Sequence, residues 1–352
     1  MKAALDSARW LVGYIRNLLA WGRHVAEAVD PVDVWHLHDL PALVAISNRV
    51  DRSVPIVYDS HEIFLDTGTA DRLPRPLRRL VGLVEARLVR RVDTLITVNG
   101  ELATILGQRF RPARTLVVHN CPPWAPPVVG LDRLRAATGI LASTPLILHH
   151  GSLSRDRGIE TLVEALQLPE LAGAHLALLG FGELRDMLSA LALEVRFGGR
   201  LHILDPVPTE ELREWVATAD IGAIAMPATS LNLRMSTPNK LFECLSAGVP
   251  VVVSNFPAVT AIVNDPLGSL GASCDPSTPA SVASAIASIL QLPVDERQAM
   301  RDRCLAAARD RWNWETESRG LIGLYERIAS TTEDAAAGAP GIDGAPAARE
   351  RP

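Results

Sequence analysis

The chain has 352 residues, 48% hydrophobic and 21% charged, which is too long for one ordinary domain and apolar enough for two cores. Its 35 basic residues are outnumbered by 40 acidic ones, a net charge of −5 that argues against a nucleic-acid partner. Cys121, Cys244, Cys274 and Cys304 are scattered with no C-x-x-C pair, which excludes a zinc-ribbon framework and points to a reducing compartment.

Residues 7–29 place Leu11, Tyr14, Ile15, Leu18, Val25 and Val29 at helical spacing, and Lys2, Asp6, Arg9 and Arg16 interrupt any signal-peptide core. Short apolar runs follow at Asp33–His38, Pro55–Asp59, Thr94–Val98 and Thr115–His119, mostly separated by helical stretches, so parallel strands of an α/β sheet are expected. Between them, Arg72–Arg91 carries seven Arg against one Glu, with Leu77, Leu80, Val84 and Leu88 at helical period. That pattern reads as a solvated helix packed on the sheet, with peripheral contact at the inner face of a membrane as the alternative. The segment Asn120–Pro127, with four prolines in eight residues, ends the first domain (residues 1–125) and opens the connection to a second.

The second domain, residues 140–310, repeats the strand–helix alternation. Strands are expected at 145–149, 175–179, 201–204, 221–225, 249–253 and near 269–272. Helices are expected at about 157–168, 183–195, 210–218, 239–247, 258–264 and 279–291, a complete doubly wound unit. The uncharged run Cys244–Asn264 contains Gly248, Pro250 and Pro257 and reads as helix end, turn and strand, not as a membrane span. Further helical sequence at 296–328 is broken near Trp312–Trp314, and the Ala/Gly/Pro-rich residues 331–352 read as a disordered tail.

Chemistry concentrates in Ser236-Thr-Pro-Asn-Lys-Leu-Phe-Glu243, where Thr237 reads as N-cap, Pro238 as first helical residue and Gly248 as the stop. All basic residues but Lys2 and Lys240 are arginine, so a lysine retained inside the chain draws notice. A cation in a first helical turn opposes the helix dipole unless an anion sits nearby, and a helix start at the carboxyl edge of a sheet suits a phosphate. Glu243, one turn on, is placed to reach a sugar hydroxyl. The loop His149–Gly158 offers Gly151 for close approach and Arg155 or Arg157 for phosphate oxygens. Gly180-Phe-Gly182 with Asp205 is part of a dinucleotide fingerprint whose third glycine is Arg185, so nicotinamide is a minor reading. His36-x-His38 with Asp39 lacks further metal ligands at a familiar spacing, and no Asp-x-Asp occurs, so no metal is expected. His61, at the end of the second strand, is a candidate for polar contact with substrate.

These segments, in this order, resemble retaining glycosyltransferases of the GT-B fold, glycosyltransferase family 4. The matching pieces are Asp33–Asp39, Tyr58–Glu62, Ile96–Val98, Gly151–Gly158, Gly180–Gly182, Ser236–Glu243 with Ala247–Pro250, and Trp312–Glu315. The resemblance implies two Rossmann-like domains facing across a cleft, with residues 311–330 packing back on the first. It implies a nucleoside-diphosphate sugar as substrate, no cofactor, and an acceptor entering between the domains. His61 and Glu243 then fall nearest the reaction. Gly151, Ser152, Arg155, Arg157, Thr237, Asn239 and Lys240 fall on the donor diphosphate and sugar, and Gly180, Gly182 and Asp205 on the nucleotide side. By position Arg157 matches the family's phosphate-binding Lys, and Glu243 the Glu that contacts the ribose. Ser152 and Met235 depart from the family's Arg and first Glu. The first domain reads as incomplete, opening on a helix where the family has a strand and glycine-rich loop. A non-catalytic relative and a nucleotide-sugar epimerase of the same fold remain the alternatives.

Overall fold

The computed structural model describes residues 2–67, 70 and 73–337, with side chains described over 12–331 of these; Arg72 and residues 338–352 of the expected tail lie outside. The first domain opens with α1 (Lys2–Ala28), then alternates β1 (Trp35–His38), α2 (Asp39–Ile46), β2 (Ile56–Ser60), α3 (Arg75–Val89), β3 (Thr94–Thr97), α4 (Gly100–Phe110) and β4 (Thr115–Val117). Its four parallel strands lie in sequence order, β1-β2-β3-β4. Each strand is too short to hold a domain alone, and the sheet is stabilised by burial on both faces. Tyr58, Leu95, Leu43 and Leu106 pack on the face covered by α2, α3 and α4.

The second domain begins with α5 (Arg133–Thr138) and β5 (Leu146–Ser152). It continues with α6 (Ile159–Ala165), β6 (His175–Phe181), α7 (Arg185–Ala192), β7 (Leu201–Leu204), α8 (Thr209–Val216) and β8 (Ile221–Ile224). Next come α9 (Leu231–Met235), α10 (Asn239–Ser246), β9 (Val251–Ser254), α11 (Pro257–Val263), β10 (Gly271–Cys274), α12 (Pro279–Leu290) and α13 (Val294–Asp310). All six strands are parallel in the order β10-β9-β8-β5-β6-β7. The chain winds outward from β5 in both directions, so β5 and β8 flank the switch point where open α/β sheets bind ligands. Period-two alternation sorts the strand residues between two cores. Ile147, Leu176, Leu178 and Val252 face one helix layer, while Leu146, Leu148, Ala177, Leu179, Val251 and Val253 face the other.

The last helix, α14 (Trp314–Ala337), returns to the first domain: Leu321, Leu324 and Ile328 cover the second face of its sheet against Val57 and Ile96. Polar contacts fix its direction. The Glu317 carboxylate accepts from the His119 backbone N–H at 2.8 Å, and Arg327 donates to Asp93 at 3.0 Å. The helix runs to Ala337, past residue 331 where the tail was expected to begin, because nothing in Thr331–Ala337 breaks a helix. The Arg-rich segment is helical as α3, but only part of its expected apolar face is used. Leu88 is buried, whereas Leu80 and Val84 stay on the surface beside Leu83. Among the described residues no helix is long and apolar enough to cross a membrane, and all four cysteines are buried and unpaired.

Leu324 is 6% exposed in the cluster that joins α14 to the first sheet. Leu324→Ala is therefore expected to cost about 2–4 kcal/mol in urea unfolding followed by tryptophan fluorescence. A loss below about 0.5 kcal/mol, no more than a surface substitution gives, would show that the helix does not hold that sheet.

Candidate active site

The second-domain half of the site is built where β5 ends and α10 begins. Gly151 closes β5 with a positive φ of +97°, and a Cβ there would stand 3.8 Å from Lys240 Nζ, so the glycine leaves the ammonium uncovered. Gly158, φ +73°, would drive a Cβ to within 1.9 Å of the Ala225 carbonyl, so the β5–α6 loop can turn there only as glycine. That turn carries Arg157 into the cleft. A cavity of about 450 Å³ is lined by His150, Gly151, Ser152, Arg157, Gly180, Phe181, Asn239, Lys240 and Glu243.

Two consecutive histidines on β5 hold the first turn of α10. His149 is fully buried and donates through Nδ1 to the Ala223 carbonyl at 3.0 Å; its Nε2 then accepts from Lys240 Nζ at 3.2 Å. Burial, with Lys240 beside it, pushes the His149 pKa well below its ordinary value, so the ring stays neutral and keeps that lone pair. His150 Nε2 donates to Glu243 Oε2 at 2.7 Å and fixes that carboxylate. Lys240 is pushed down to about 8, first by burial and then by the like charge of Arg157.

The first-domain wall lies across a larger cavity of about 580 Å³, whose lining includes His36, His38, Asp59, His61, Arg157, Asn232, Thr237 and Asn239. Arg157 and Asn239 line both cavities and so mark their junction. His61 lies between two carboxylates, Nδ1 3.4 Å from Asp39 and Nε2 3.2 Å from Asp59. Its hydrogen bonds to Asp39 and then Asp59 raise its pKa to about 10. Burial alone would raise Asp59, but the His36 and His61 imidazoles, 3.7 and 3.2 Å from its Oδ2, and the neighbouring imidazole charge hold it far below the usual carboxylate range. Asp39 takes a φ of +61°, a costly backbone for a non-glycine residue of the kind that gathers at functional sites. Hydrogen bonds across the cleft set the spacing of the walls. The Ile63 N–H donates to Asn232 Oδ1 at 2.9 Å, and Asn99 Nδ2 donates to the Met235 carbonyl at 2.8 Å.

The structure sorts the expected residues. Gly151, Ser152, Arg157, Gly180, Asn239, Lys240 and Glu243 share one cavity, and Thr237 and His61 the adjoining one. Arg155 is not brought in: its side chain is 77% exposed and its Nε lies 4.0 Å from Glu183. Asp205 is 89% exposed and paired with Arg185 at 2.7 Å, and Arg185 also holds the Gly180 and Leu204 carbonyls at 2.9 Å each. That arginine fills the place of a third glycine, which removes the basis for the nicotinamide reading. Gly182 packs against the Leu153 backbone, outside the cavity lining. Thr237 does not cap α10: Pro238 holds the N-cap position, and the Thr237 hydroxyl turns across the cleft to the Val98 carbonyl at 3.4 Å. Sequence reading missed His149, His150, Asp59, Asn232 and Tyr325. The His149-His150 pair before Gly151 was the visible signal, since only nine histidines occur in the chain.

The model for "Glycosyl transferases group 1" matches residues 132–311, and that for "Glycosyl transferase 4-like domain" matches residues 3–121. A D-inositol 3-phosphate glycosyltransferase of Nocardioides sp. is 27% identical, over 91% of this chain and 73% of its own length. Among solved structures, a sucrose-phosphate synthase from Thermosynechococcus elongatus superposes with a TM-score of 0.68 at 18% identity, covering 85% of this chain and 74% of that one. Anabaena HepE in complex with UDP-glucose gives 0.64 at 19% identity, covering 89% and 82%; both likenesses concern the fold, GT-B.

The Lys240 ammonium titrates near pH 8 when no anion is bound, and only its charged form attracts one. Affinity for inorganic pyrophosphate, read by calorimetry, is expected to hold up to about that pH. It should then fall, by at most about tenfold per pH unit, as the charge is lost. In Lys240→Gln the fall above pH 8 should vanish; an unchanged profile would exclude Lys240 as the titrating contact.

Proposed function

Since the chain belongs to the glycosyl transferases group 1 family, we propose that it moves a sugar from a nucleoside-diphosphate sugar to an acceptor hydroxyl, with retention at the anomeric carbon. The observation that carries this reading is that two cations, Lys240 in the first turn of α10 and Arg157 at the junction of the two cavities, line the same cavity. The donor diphosphate lies there. Its charge grows as the bond between the anomeric carbon and the phosphate oxygen breaks, and a preorganised ammonium, guanidinium and helix terminus stabilise that growth. No metal is needed for this step. The acceptor oxygen bonds to the anomeric carbon on the same face, and its proton passes to the departing diphosphate, so no protein nucleophile takes part.

Glu243, held by His150, presents its other carboxylate oxygen to a hydroxyl of the donor ribose. Phe181, 64% exposed in the donor cavity, offers an aromatic face to the nucleobase. His61 lies on the acceptor side, where its raised pKa keeps it cationic at neutral pH and suits it to donating hydrogen bonds, not to accepting a proton. The UDP-glucose bound by HepE and the transferase name of the Nocardioides relative support the donor class. Exposed Leu80, Leu83 and Val84 beside Arg75, Arg79 and Arg87 on α3 support peripheral contact with an anionic membrane, where a lipid-linked acceptor would lie.

The test is a thermal-shift titration with UDP, GDP, ADP and TDP, followed by transfer assays with the sugar of whichever stabilises. Lys240→Ala and Arg157→Ala should each weaken the stabilising nucleotide by about 1–3 kcal/mol, while Arg155→Ala leaves it unchanged. Equal losses from the two arginines would overturn the placement of the diphosphate. Conversion of the sugar donor without any acceptor would point to an epimerase, and no shift with any nucleotide to a non-catalytic relative.

A further inference from the structure

On the first-domain wall, ligating side chains from two strands converge on one point. His36 and His38 share a face of β1, and the register sets Asp59 of β2 directly beside His38, with His61 two residues on. Asp59 Oδ2 lies 3.7 Å from His36 Nε2, 3.3 Å from His38 Nδ1 and 3.2 Å from His61 Nε2, and His38 Nδ1 lies 3.3 Å from His61 Nε2. The ligating atoms of His36, His38 and Asp59 all fall within 4.8 Å of one another. Four atoms bound tetrahedrally to zinc at its usual bond lengths stand roughly 3.3–3.4 Å apart, close to these separations.

Two further observations favour a cation at the focus over a plain hydrogen-bond cluster. His36 Nε2 is buried without a hydrogen-bond partner, although it faces the carboxylate. Three imidazole nitrogens crowd one carboxylate oxygen, which has two lone pairs to offer. The outward ring nitrogen of His36 is also supported: its Nδ1 lies 2.5 Å from the Tyr325 hydroxyl of α14. Such partners commonly orient metal-ligating histidines.

We propose that His36, His38 and Asp59 form a site of two nitrogens and one oxygen for a transition-metal cation of the zinc class, with a fourth position left open beside them. Imidazole-rich donors suit zinc and its neighbours, whereas magnesium and calcium require oxygens. The site is separate from the diphosphate contacts and does not rest on the transfer reading. With three positions filled by protein, the cation staples the ends of β1 and β2 and leaves His61 outside its coordination.

The test uses the full chain, stripped with chelator and titrated at neutral pH with zinc by calorimetry and with cobalt(II) by visible absorption, with no nucleotide present. One equivalent of zinc and the intense bands of four-coordinate cobalt are expected. His36→Ala should abolish both. Tyr325→Phe, which leaves the ligands and the packing in place, should weaken zinc about tenfold or more. Lys240→Ala, which impairs the diphosphate contacts, should leave zinc binding unchanged. No saturable binding, the faint spectrum of six-coordinate cobalt, or binding indifferent to His36→Ala in a chain that circular dichroism shows to be folded would overturn the site.

Discussion

A half-buried ammonium at the positive end of a helix is the constraint around which the second domain is arranged. Lys240 in the first turn of α10 opposes the helix dipole, stands near a second cation, Arg157, and has a neutral imidazole as acceptor. In water such a group would need no help. Partly stripped of water it is stabilised only by what reaches it, and His149, buried and kept neutral, supplies a lone pair where a carboxylate would have cancelled the charge. Lys240 and Arg157 thus place two cations in one cavity at the N-terminus of α10, an arrangement suited to an anion.

The rest of the fold serves to place that charge opposite a wall of different chemistry. β5 and β8 diverge at the switch point, which gives α10 and the Arg157 loop room to face outward. The return of α14 covers the first sheet and brings Tyr325 behind His36. Asn232 and Asn99 hydrogen-bond across the cleft and hold the walls at a spacing where Arg157 and His61 border the same cavity. One wall carries the cations Lys240 and Arg157. The other is a nest of imidazoles and carboxylates, in which Asp39 and then Asp59 raise the proton affinity of His61, and the surrounding imidazoles lower that of Asp59.

Much of this was open to reading in the chain itself. The strand–helix alternation placed all ten strands among the described residues, because buried parallel strands are short apolar runs and their crossovers carry helical periodicity. Lys240 stood out chemically, as a lysine in an arginine-rich chain at a helix start. Gly151 and Gly158 marked the loop beside it. Other readings failed where the decisive partner was distant in sequence. Arg155 and Arg157 were equivalent as residues, and only the turn at Gly158 aims one inward and leaves the other on the surface. Thr237 had every local attribute of an N-cap, yet its hydroxyl found a carbonyl in the other domain. Asp205 completed a partial dinucleotide fingerprint on the nucleotide side, and in the structure it pairs with Arg185, twenty positions earlier.

What the sequence determined by itself is the set of properties that depend on neighbours along the chain: which segments form strands and helices, where the glycine-bearing loop after β5 and the helix start at Asn239 lie, and which family pattern they follow. Tertiary structure decided which charged groups meet. His149 reaches Lys240 over ninety-one positions and His36 reaches Tyr325 over two hundred and eighty-nine. Asp59 comes to two histidines through strand register, not spacing. Local periodicity records burial, because burial is settled face by face along each element. Proton affinities, ligand geometry and the aim of a side chain depend on distances through space, and these exist only once the two sheets and the returning helix have packed.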